Sequence, residues 1–228
     1  GTYNPSTGST TSAACLDADA GHYTGSPGAA SQTSCLTGTY QPNTGQSSCL
    51  DASAGYYVDT TAATSQTACT VGTYQPSTGQ TSCIDAPAGT YVDTTAATSP
   101  TDCAAGTYNP STGSTTSAAC LDVDAGYYTG SAGSVSQTPC PAGTYQPNTG
   151  QSSCLDASAG YYVSSTASTS QTACAAGTYQ PSTGQTSCID ASAGYYVDTT
   201  AATSQTACAA GTYQPNTGQT SCLDADAG

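Results

Sequence analysis

Thirteen cysteines are the residues of this 228-residue chain whose type and spacing point most directly to a chemistry. Successive cysteines are separated by 20 and 14 residues in alternation, with a single interval of 17 residues. The chain has one histidine and no Lys or Arg, so it lacks both the usual partners of zinc-binding cysteines and any cationic side chain that would favour a reactive thiolate. Cysteines at this density are typical of disulfides formed in an oxidising compartment. The sequence therefore predicts a secreted, extracellular or cell-surface protein held together by disulfide bonds.

Aspartates supply the second regular chemistry, because all fourteen acidic residues are Asp and one follows the Cys-Leu or Cys-Ile pair of each first-type repeat, such as residues 38–54. Carboxylates at a fixed interval are one way to bind Ca²⁺, which takes roughly six to eight oxygen ligands. The alternative is that each Asp organises a turn through its side chain. Apart from this calcium hypothesis and the glycans considered below, the sequence predicts no cofactor. The calcium candidates are Asp17 with Asp19, Asp122 with Asp124, and Asp224 with Asp226.

Composition excludes several classes of function. A net charge of −14 without any Lys or Arg argues against nucleic acids and anionic membranes as partners. No apolar run approaches the roughly 20 residues of a membrane helix, so membrane insertion is not expected. His22 is the single histidine, and the second long copy of the sequence has Tyr127 in its place. Because Glu is also absent, general acid–base chemistry has almost no participants, and the chain is expected not to be an enzyme.

A 17-residue repeat that begins with Gly-x-Tyr places the cysteines and aspartates. First-type repeats, such as residues 38–54, have their cysteine six residues before the next repeat. Second-type repeats, such as residues 55–71, have it three residues before, and the two types alternate. Residues 1–105 and 106–210 are two long copies of six repeats that differ at 17 positions, and residues 211–228 start a further repeat. A repeat this short needs disulfides or stacking to be stable. The sequence starts and ends on a repeat glycine, so we interpret it as part of a longer array.

The first-type repeat predicts a β-hairpin. In residues 38–54 the β-prone run Thr-Tyr-Gln precedes Pro-Asn-Thr-Gly, where Pro and Gly suit the turn positions. Residues 46–49 are the predicted returning strand. The turn lies midway between Cys35 and Cys49 and tends to bring these two residues opposite each other. The second-type repeat has weaker turn signals and predicts a looser hairpin.

The predicted fold is small, disulfide-rich and all-β. It is an elongated array of short antiparallel hairpins with negligible α-helix, in which each repeat contacts mainly its neighbours in the chain. The alternative is a β-solenoid with 17-residue rungs, which would stack identical positions in parallel ladders. Strong turn residues occur in only one of the two repeat types, and this favours the hairpins.

Tyrosine is the main packing residue expected from the sequence, because the ring of the Gly-x-Tyr frame can stack one repeat on the next. Four further tyrosines either shield the core or contact a neighbouring chain or a sugar. The framed residues include Tyr40, Tyr57, Tyr74, Tyr91 and Tyr108. The further tyrosines are Tyr56, Tyr127, Tyr161 and Tyr195.

Hydroxyl side chains are abundant, with 43 Thr and 31 Ser, whereas the chain has no Asn-x-Ser/Thr motif in which x is a residue other than Pro. N-linked glycans are therefore not expected. O-linked glycans are one interpretation of this composition on an extracellular rod. The other interpretation is that Ser and Thr simply suit exposed strands and turns.

Residues 140–154 read Cys-Pro-Ala-Gly-Thr-Tyr-Gln-Pro-Asn-Thr-Gly-Gln-Ser-Ser-Cys and resemble the ephrin-receptor-like cysteine-rich repeat. The sequence pattern of that family is C-x-x-C-P-x-G-x-Y, followed by a few small residues, Gly and a second C-x-x-C. The resemblance covers essentially every repeat. It implies small disulfide-stapled β modules in extracellular rods and no catalytic residue. This chain departs from the family by keeping one of the two cysteines before each Gly, as if one of two disulfide sets were missing.

The symmetric turn, together with this paired loss of cysteines, predicts that each second-type cysteine bonds to the next first-type cysteine. Cys15 is then left over, and its partner is expected upstream of Gly1. A rival register, beginning Cys15–Cys35 and Cys49–Cys69, would instead leave Cys222 unpaired. The predicted disulfides are Cys35–Cys49, Cys69–Cys83, Cys103–Cys120, Cys140–Cys154, Cys174–Cys188 and Cys208–Cys222.

The function expected from these patterns is structural. A linear array gains length in proportion to its repeats, and near-identical repeats favour self-association into filaments. The first hypothesis is a segment of an extracellular filament, appendage or surface stalk. The alternative is an adhesin-like or receptor-like ectodomain that presents a ligand site, with carbohydrate as one class of ligand, on a rod.

Overall fold

The structure, a computed structural model, describes residues 1–225. Over this range it contains 26 strands of two residues each, paired into 13 antiparallel hairpins, and two 3₁₀ turns (Ser12–Ala14 and Ser117–Ala119). Residues 1–225 contain no α-helix. The chain is therefore all-β, as the sequence predicts, and the hairpin is its only regular motif.

The first compact unit comprises Gly1–Cys103 and Asn109–Ala119. Each of its hairpins joins two consecutive strands. They are β1 (Thr2–Tyr3) with β2 (Leu16–Asp17), β3 (His22–Tyr23) with β4 (Thr33–Ser34), β5 (Thr39–Tyr40) with β6 (Leu50–Asp51), β7 (Tyr56–Tyr57) with β8 (Thr67–Ala68), β9 (Thr73–Tyr74) with β10 (Ile84–Asp85), and β11 (Thr90–Tyr91) with β12 (Thr101–Asp102).

The second compact unit comprises Ala104–Tyr108 and the chain from Cys120 onward. Its hairpins follow the same rule. They are β13 (Thr107–Tyr108) with β14 (Leu121–Asp122), β15 (Tyr127–Tyr128) with β16 (Thr138–Pro139), β17 (Thr144–Tyr145) with β18 (Leu155–Asp156), β19 (Tyr161–Tyr162) with β20 (Thr172–Ala173), β21 (Thr178–Tyr179) with β22 (Ile189–Asp190), β23 (Tyr195–Tyr196) with β24 (Thr206–Ala207), and β25 (Thr212–Tyr213) with β26 (Leu223–Asp224).

The hairpin of a first-type repeat closes later than the sequence predicts. In residues 38–54 Tyr40 pairs with Leu50, so the returning strand follows Cys49 instead of ending there. The reason lies in the loop, whose backbone groups have other partners. The Gln46 carbonyl accepts a hydrogen bond from the Thr24 N–H of the preceding repeat (3.1 Å) and is not available to a strand partner in its own repeat.

Second-type repeats form the same hairpin with the same register, although their turn signals are weaker. Tyr56 pairs with Ala68 and Tyr57 with Thr67, as Thr39 pairs with Asp51 in the preceding repeat. All strand pairs among residues 1–225 are antiparallel. The alternative of a solenoid with parallel ladders is therefore wrong.

Backbone hydrogen bonds join each repeat to the next. The Gly38 N–H donates to the Val58 carbonyl (2.7 Å), and the Gln41 N–H donates to the Ala63 carbonyl (3.0 Å). Equivalent bonds recur at the other repeats of both compact units. Two-stranded hairpins are marginal alone, and these bonds supply the neighbours that an isolated hairpin lacks.

Each repeat also contacts the second repeat along the chain, which the expectation of neighbour contacts omitted. The Ala62 N–H donates to the Cys35 carbonyl (2.8 Å), and the Gly79 N–H donates to the Ala52 carbonyl (2.7 Å). Both bonds link repeats of one type across an intervening repeat of the other type. Within each compact unit, first-type repeats therefore stack on first-type repeats and second-type repeats on second-type repeats.

Glycine at the start of a repeat is required by this stacking. Gly55 has φ of 84°, and a Cβ added there would overlap the carbonyl oxygen of Ala96, two repeats away. A Cβ on Gly38 would overlap the carbonyl of Gly79 in the same manner. The Gly that starts the repeat thus combines a left-handed backbone conformation with a close approach to the backbone of the second repeat along the chain.

The buried core is thin and has two side-chain positions in each inner repeat. The residue after the framed Tyr is one, as in Gln41 and Val58, each 3% exposed, and the residue after the second strand is the other, as in Cys35 and Ala52. The five tyrosines named above for packing, Tyr40, Tyr57, Tyr74, Tyr91 and Tyr108, are half-buried and line this core from the side. Successive residues of a strand face opposite ways, so the residue after Tyr points inward.

Candidate functional site

Disulfides join the end of a second-type repeat to the loop of the next first-type repeat, and we call this contact the disulfide junction. Each described pair has a Cα–Cα distance of 5.8 Å, and the second-type cysteine is the more buried partner in every described pair except Cys208–Cys222. The pairs are Cys35–Cys49, Cys69–Cys83, Cys140–Cys154, Cys174–Cys188 and Cys208–Cys222. Cys103 and Cys120 are disulfide-bonded as well. None of the five described pairs has the rival register.

Cys15 differs from the other cysteines. Its thiol is free and exposed within the described chain. The partner predicted for it lies outside the chain, so its pairing stays a prediction.

The alternate contact, from the end of a first-type repeat to the loop of the next second-type repeat, has Ala and Gln where the disulfide junction has two cysteines. Ala52 is fully buried, and 14 residues later Gln66 accepts a hydrogen bond at Oε1 from the Ser53 N–H (2.7 Å). We call this contact the glutamine junction. The same bond is made by Gln32, Gln137, Gln171 and Gln205.

Two of the calcium candidates belong to glutamine junctions. The Asp19 carboxylate accepts a hydrogen bond from Gln32 Nε2 (2.7 Å), and Asp124 accepts one from Gln137 Nε2 (2.8 Å). These carboxylates therefore hold a glutamine that in turn binds the backbone.

Three further candidates, Asp17, Asp122 and Asp224, lie in strands. The first two also lie close to a glycine of the second repeat along the chain. A Cβ added to Gly45 would lie 3.3 Å from Cγ of Asp17, and one added to Gly150 would lie 3.4 Å from Oδ1 of Asp122. Their carboxylates thus pack beside the turn of the second repeat along. Over residues 1–225 the structure brings no three His, Cys or Asp side chains together as a metal site. Asp226 lies outside the described residues, and the calcium hypothesis stays a prediction.

One glutamine junction has neither the donor nor the acceptor of this hydrogen bond. Pro87 occupies the position of Ser53 and has no N–H to donate, and Pro100 occupies the position of Gln66 and has no side-chain acceptor. The second long copy has Ser192 and Gln205 at these positions, and there the bond is present at 2.7 Å. Donor and acceptor are thus either both present or both absent.

Shallow grooves recur at disulfide junctions. One of about 320 Å³ is lined by Tyr57 and Asp59 of a second-type repeat and by Thr73 and Cys83 of the next repeat. Equivalent grooves lie beside Tyr23 (about 280 Å³), Tyr162 (about 460 Å³) and Tyr196 (about 540 Å³). Each combines an aromatic wall with Thr and Ser hydroxyls beside a disulfide. This is the geometry of a small binding surface.

The remaining residues singled out from the sequence do not join these grooves. His22 is half-buried, and its Nδ1 lies 3.3 Å from the Ala20 carbonyl oxygen. Tyr56, Tyr127 and Tyr161 are half-buried first residues of second-type strands, and Tyr195 is exposed. The tyrosines that line the grooves are those of the Gly-x-Tyr frame, for which the sequence predicts a packing role. Their signal was the Tyr-Val-Asp, Tyr-Val-Ser or Tyr-Thr-Gly sequence, which the Gly-x-Tyr frame contains only in second-type repeats.

Stacked hairpins with a disulfide at every second junction define a class of disulfide-stapled repeat proteins. The family model described as tyrosine-protein kinase ephrin type A/B receptor-like matches residues 33–69, 55–103, 126–174 and 160–208. The chain belongs to this ephrin-receptor-like repeat family. No curated protein matches the chain at a significant level. The part of the chain that the structure describes contains no helix long and apolar enough to cross a membrane.

Proposed function

We propose that the chain is a structural repeat segment of an extracellular filament, appendage or surface stalk. The proposal rests on the observation that the same backbone hydrogen bonds recur from repeat to repeat. The bond from Gly38 to Val58 and the bond from Ala62 to Cys35 recur at equivalent residues of both compact units, whichever repeat type is involved. Repeats joined in this way can be added without any new kind of contact.

Composition supports the extracellular part of this proposal. A thin core of two residues per repeat gives limited hydrophobic stabilisation, and disulfides compensate for it in small extracellular domains. The proposal includes no catalytic activity, because the chain has one His and no Lys, Arg or Glu. It includes self-association through the tyrosine-bearing faces and O-linked glycans on exposed Ser and Thr.

Electron microscopy of native, oxidised material tests the proposal. The expected result is long regular fibres that soften or dissolve when a thiol reduces the disulfides. A chelator is expected to alter the bundling of fibres but not the single fibre, since divalent cations offset the repulsion between chains of charge −14. A short monomer tightly bound to one soluble ligand would contradict the proposal.

A receptor-like or adhesin-like ectodomain is the second candidate function. It is favoured by the receptor description of the matching family and by the grooves repeated along the chain. In this case carbohydrate or protein ligands would bind to the side of the array. Imaging separates the two candidates, because an ectodomain predicts short stalks on a cell surface instead of extended fibres.

A further inference from the structure

We propose that the grooves beside Tyr57 and Tyr196 bind the cationic side chains of a basic protein partner. Each groove presents a tyrosine ring and a carboxylate together: Tyr57 with Asp59, and Tyr196 with Asp198. The proposal does not depend on filament formation, because each groove is built from two consecutive repeats.

The geometry places ring and carboxylate on one side of the chain. Tyr57 and Asp59 are separated by one residue, Val58, which is 3% exposed and points into the core. Since successive residues of an extended segment face opposite ways, the two groove residues share the other face. Tyr57 is half-buried and therefore held in place, and Asp59 is exposed at the rim. Tyr196 and Asp198 repeat this arrangement around buried Val197.

The chemistry of this pair selects a cation. The face of a tyrosine ring attracts an ammonium or guanidinium group within about 6 Å, and a carboxylate beside it adds direct charge attraction. Thr and Ser hydroxyls on the opposite wall, such as Thr73, can accept hydrogen bonds from the remaining N–H groups. The groove is large enough for one such side chain but too open to enclose a small molecule.

Charge complementarity identifies the source of the cation. The chain carries fourteen Asp and no Lys or Arg, so neither the chain itself nor a second copy of it can supply the occupant. The proposed occupant is therefore a side chain of a different protein with exposed Lys or Arg. At physiological salt the Debye length is about 8 Å, so a cation in the groove responds to the groove carboxylate far more than to distant ones.

The chain contains its own comparison grooves. Beside Tyr23 and Tyr162 the residues that correspond to Asp59 are Gly25 and Ser164. These grooves keep the aromatic wall and the hydroxyls but lack the rim carboxylate. They are expected to bind cations more weakly.

Fluorescence anisotropy with labelled tetralysine tests the proposal on the full oxidised chain at about 0.15 M ionic strength. The groove variant is Asp59→Asn/Asp93→Asn/Asp198→Asn, where Asp93 is included because the chain repeats Tyr-Val-Asp there. The control variant Asp51→Asn/Asp85→Asn/Asp190→Asn removes the same charge outside the grooves. We expect at least about five-fold weaker binding for the groove variant and less than about two-fold for the control.

Two further variants separate the contributions of ring and carboxylate. Ser164→Asp should increase the number of tetralysine molecules bound, because it adds the missing carboxylate to the groove beside Tyr162. Tyr57→Leu/Tyr196→Leu should weaken binding at unchanged net charge, with circular dichroism as the check on folding. Equal weakening by the groove and control variants would overturn the proposal in favour of diffuse charge attraction. Equal binding of fully acetylated tetralysine, or preference for a neutral oligosaccharide, would overturn it in favour of an uncharged ligand.

Discussion

The disulfide junction and the glutamine junction occupy equivalent places in the fold but are held by different forces. Cys35 and Cys49 are separated by 14 residues and covalently joined, and Ala52 and Gln66 have the same separation without a covalent bond. In the second case a buried methyl group fills the core and the glutamine binds the Ser53 N–H. The repeats thus stack in the same way whether the junction is held by a disulfide or by a hydrogen bond.

The energetic difference between the junctions is large for a chain with so thin a core. Closing a loop of about 15 residues with a disulfide contributes roughly 3 kcal/mol in the chain-entropy model. A single hydrogen bond contributes about 1 kcal/mol net. Because the two junctions alternate, the array consists of pairs of repeats that are cross-linked by a disulfide, and successive pairs are held together by weaker contacts.

The largest expected effect concerns the stacking that both junctions share. Gly55→Ala should destabilise the chain by about 3 kcal/mol, because φ of 84° costs an L-residue about 1–2 kcal/mol and overlap with the Ala96 carbonyl forces a backbone shift of similar cost. The free energy of unfolding from urea titration measures the loss.

Gly28→Ala is the matched control. Gly28 also has a left-handed backbone, with φ of 77°, but no atom lies within 4 Å of an added Cβ. It should lose only the conformational cost of about 1–2 kcal/mol. Equal losses in the two variants would show that the close approach to the second repeat does not contribute.

Removal of one disulfide should have an effect of similar size. Cys69→Ser/Cys83→Ser should reduce the free energy of unfolding by about 3 kcal/mol, since the closed loop is released in the unfolded chain and a buried sulfur is lost. Chemical denaturation of the oxidised proteins measures the difference. A loss below 1 kcal/mol, the range of a hydrogen bond, would remove the energetic distinction between the junctions.

Conversion of a glutamine junction into a disulfide junction is the reverse experiment. Ala52→Cys/Gln66→Cys places two cysteines at the separation found in the disulfide junctions, and the variant should oxidise spontaneously and gain about 2 kcal/mol after loss of the Gln66 hydrogen bond. Intact mass after thiol alkylation reports the bond, and urea titration reports the gain. Persistent free thiols would show that the two junctions differ in backbone geometry.

The smallest effect tests the hydrogen bond itself. Gln66→Ala should cost about 1 kcal/mol, because the Ser53 N–H loses its acceptor. At the proline-containing junction, Pro100→Gln alone should bring no hydrogen-bond gain, whereas Pro87→Ser/Pro100→Gln should gain about 1 kcal/mol. A double-mutant cycle on thermal unfolding measures this coupling, and additive single effects would contradict it.

Local patterns predicted the hairpin but not all of its bonds. Pro42 and Gly45 predict a turn, and the turn is present between β5 and β6. The position of the returning strand was wrong, since Gln46 binds the preceding repeat. The framed tyrosines of the inner repeats are half-buried, and the residue after each of them is buried. One such residue is Gln41, whose side chain donates from Nε2 to the Ser48 carbonyl (2.9 Å). Because such a residue is polar, the pattern of hydrophobic residues in the sequence does not reveal that it is buried.

The candidate grooves show the same limit. The Tyr57 and Asp59 pair is visible in the sequence, but the opposite wall, including Thr73 and Cys83, belongs to the next repeat. The role of Gln66 was equally hidden, because the Ser53 N–H that it binds lies 13 residues away in another repeat. No local preference reports such a partner.

The sequence by itself determined the repeat, the alternation of its two types, the disulfide-rich all-β class and the absence of basic side chains. These follow from residue types and short spacings, which depend on local turn and strand preferences. Tertiary structure decided that repeats of one type stack on each other, through bonds such as that from Ala62 to Cys35, 27 residues apart. Contacts at this separation depend on how successive hairpins are oriented, and the whole set of packed repeats fixes that orientation together.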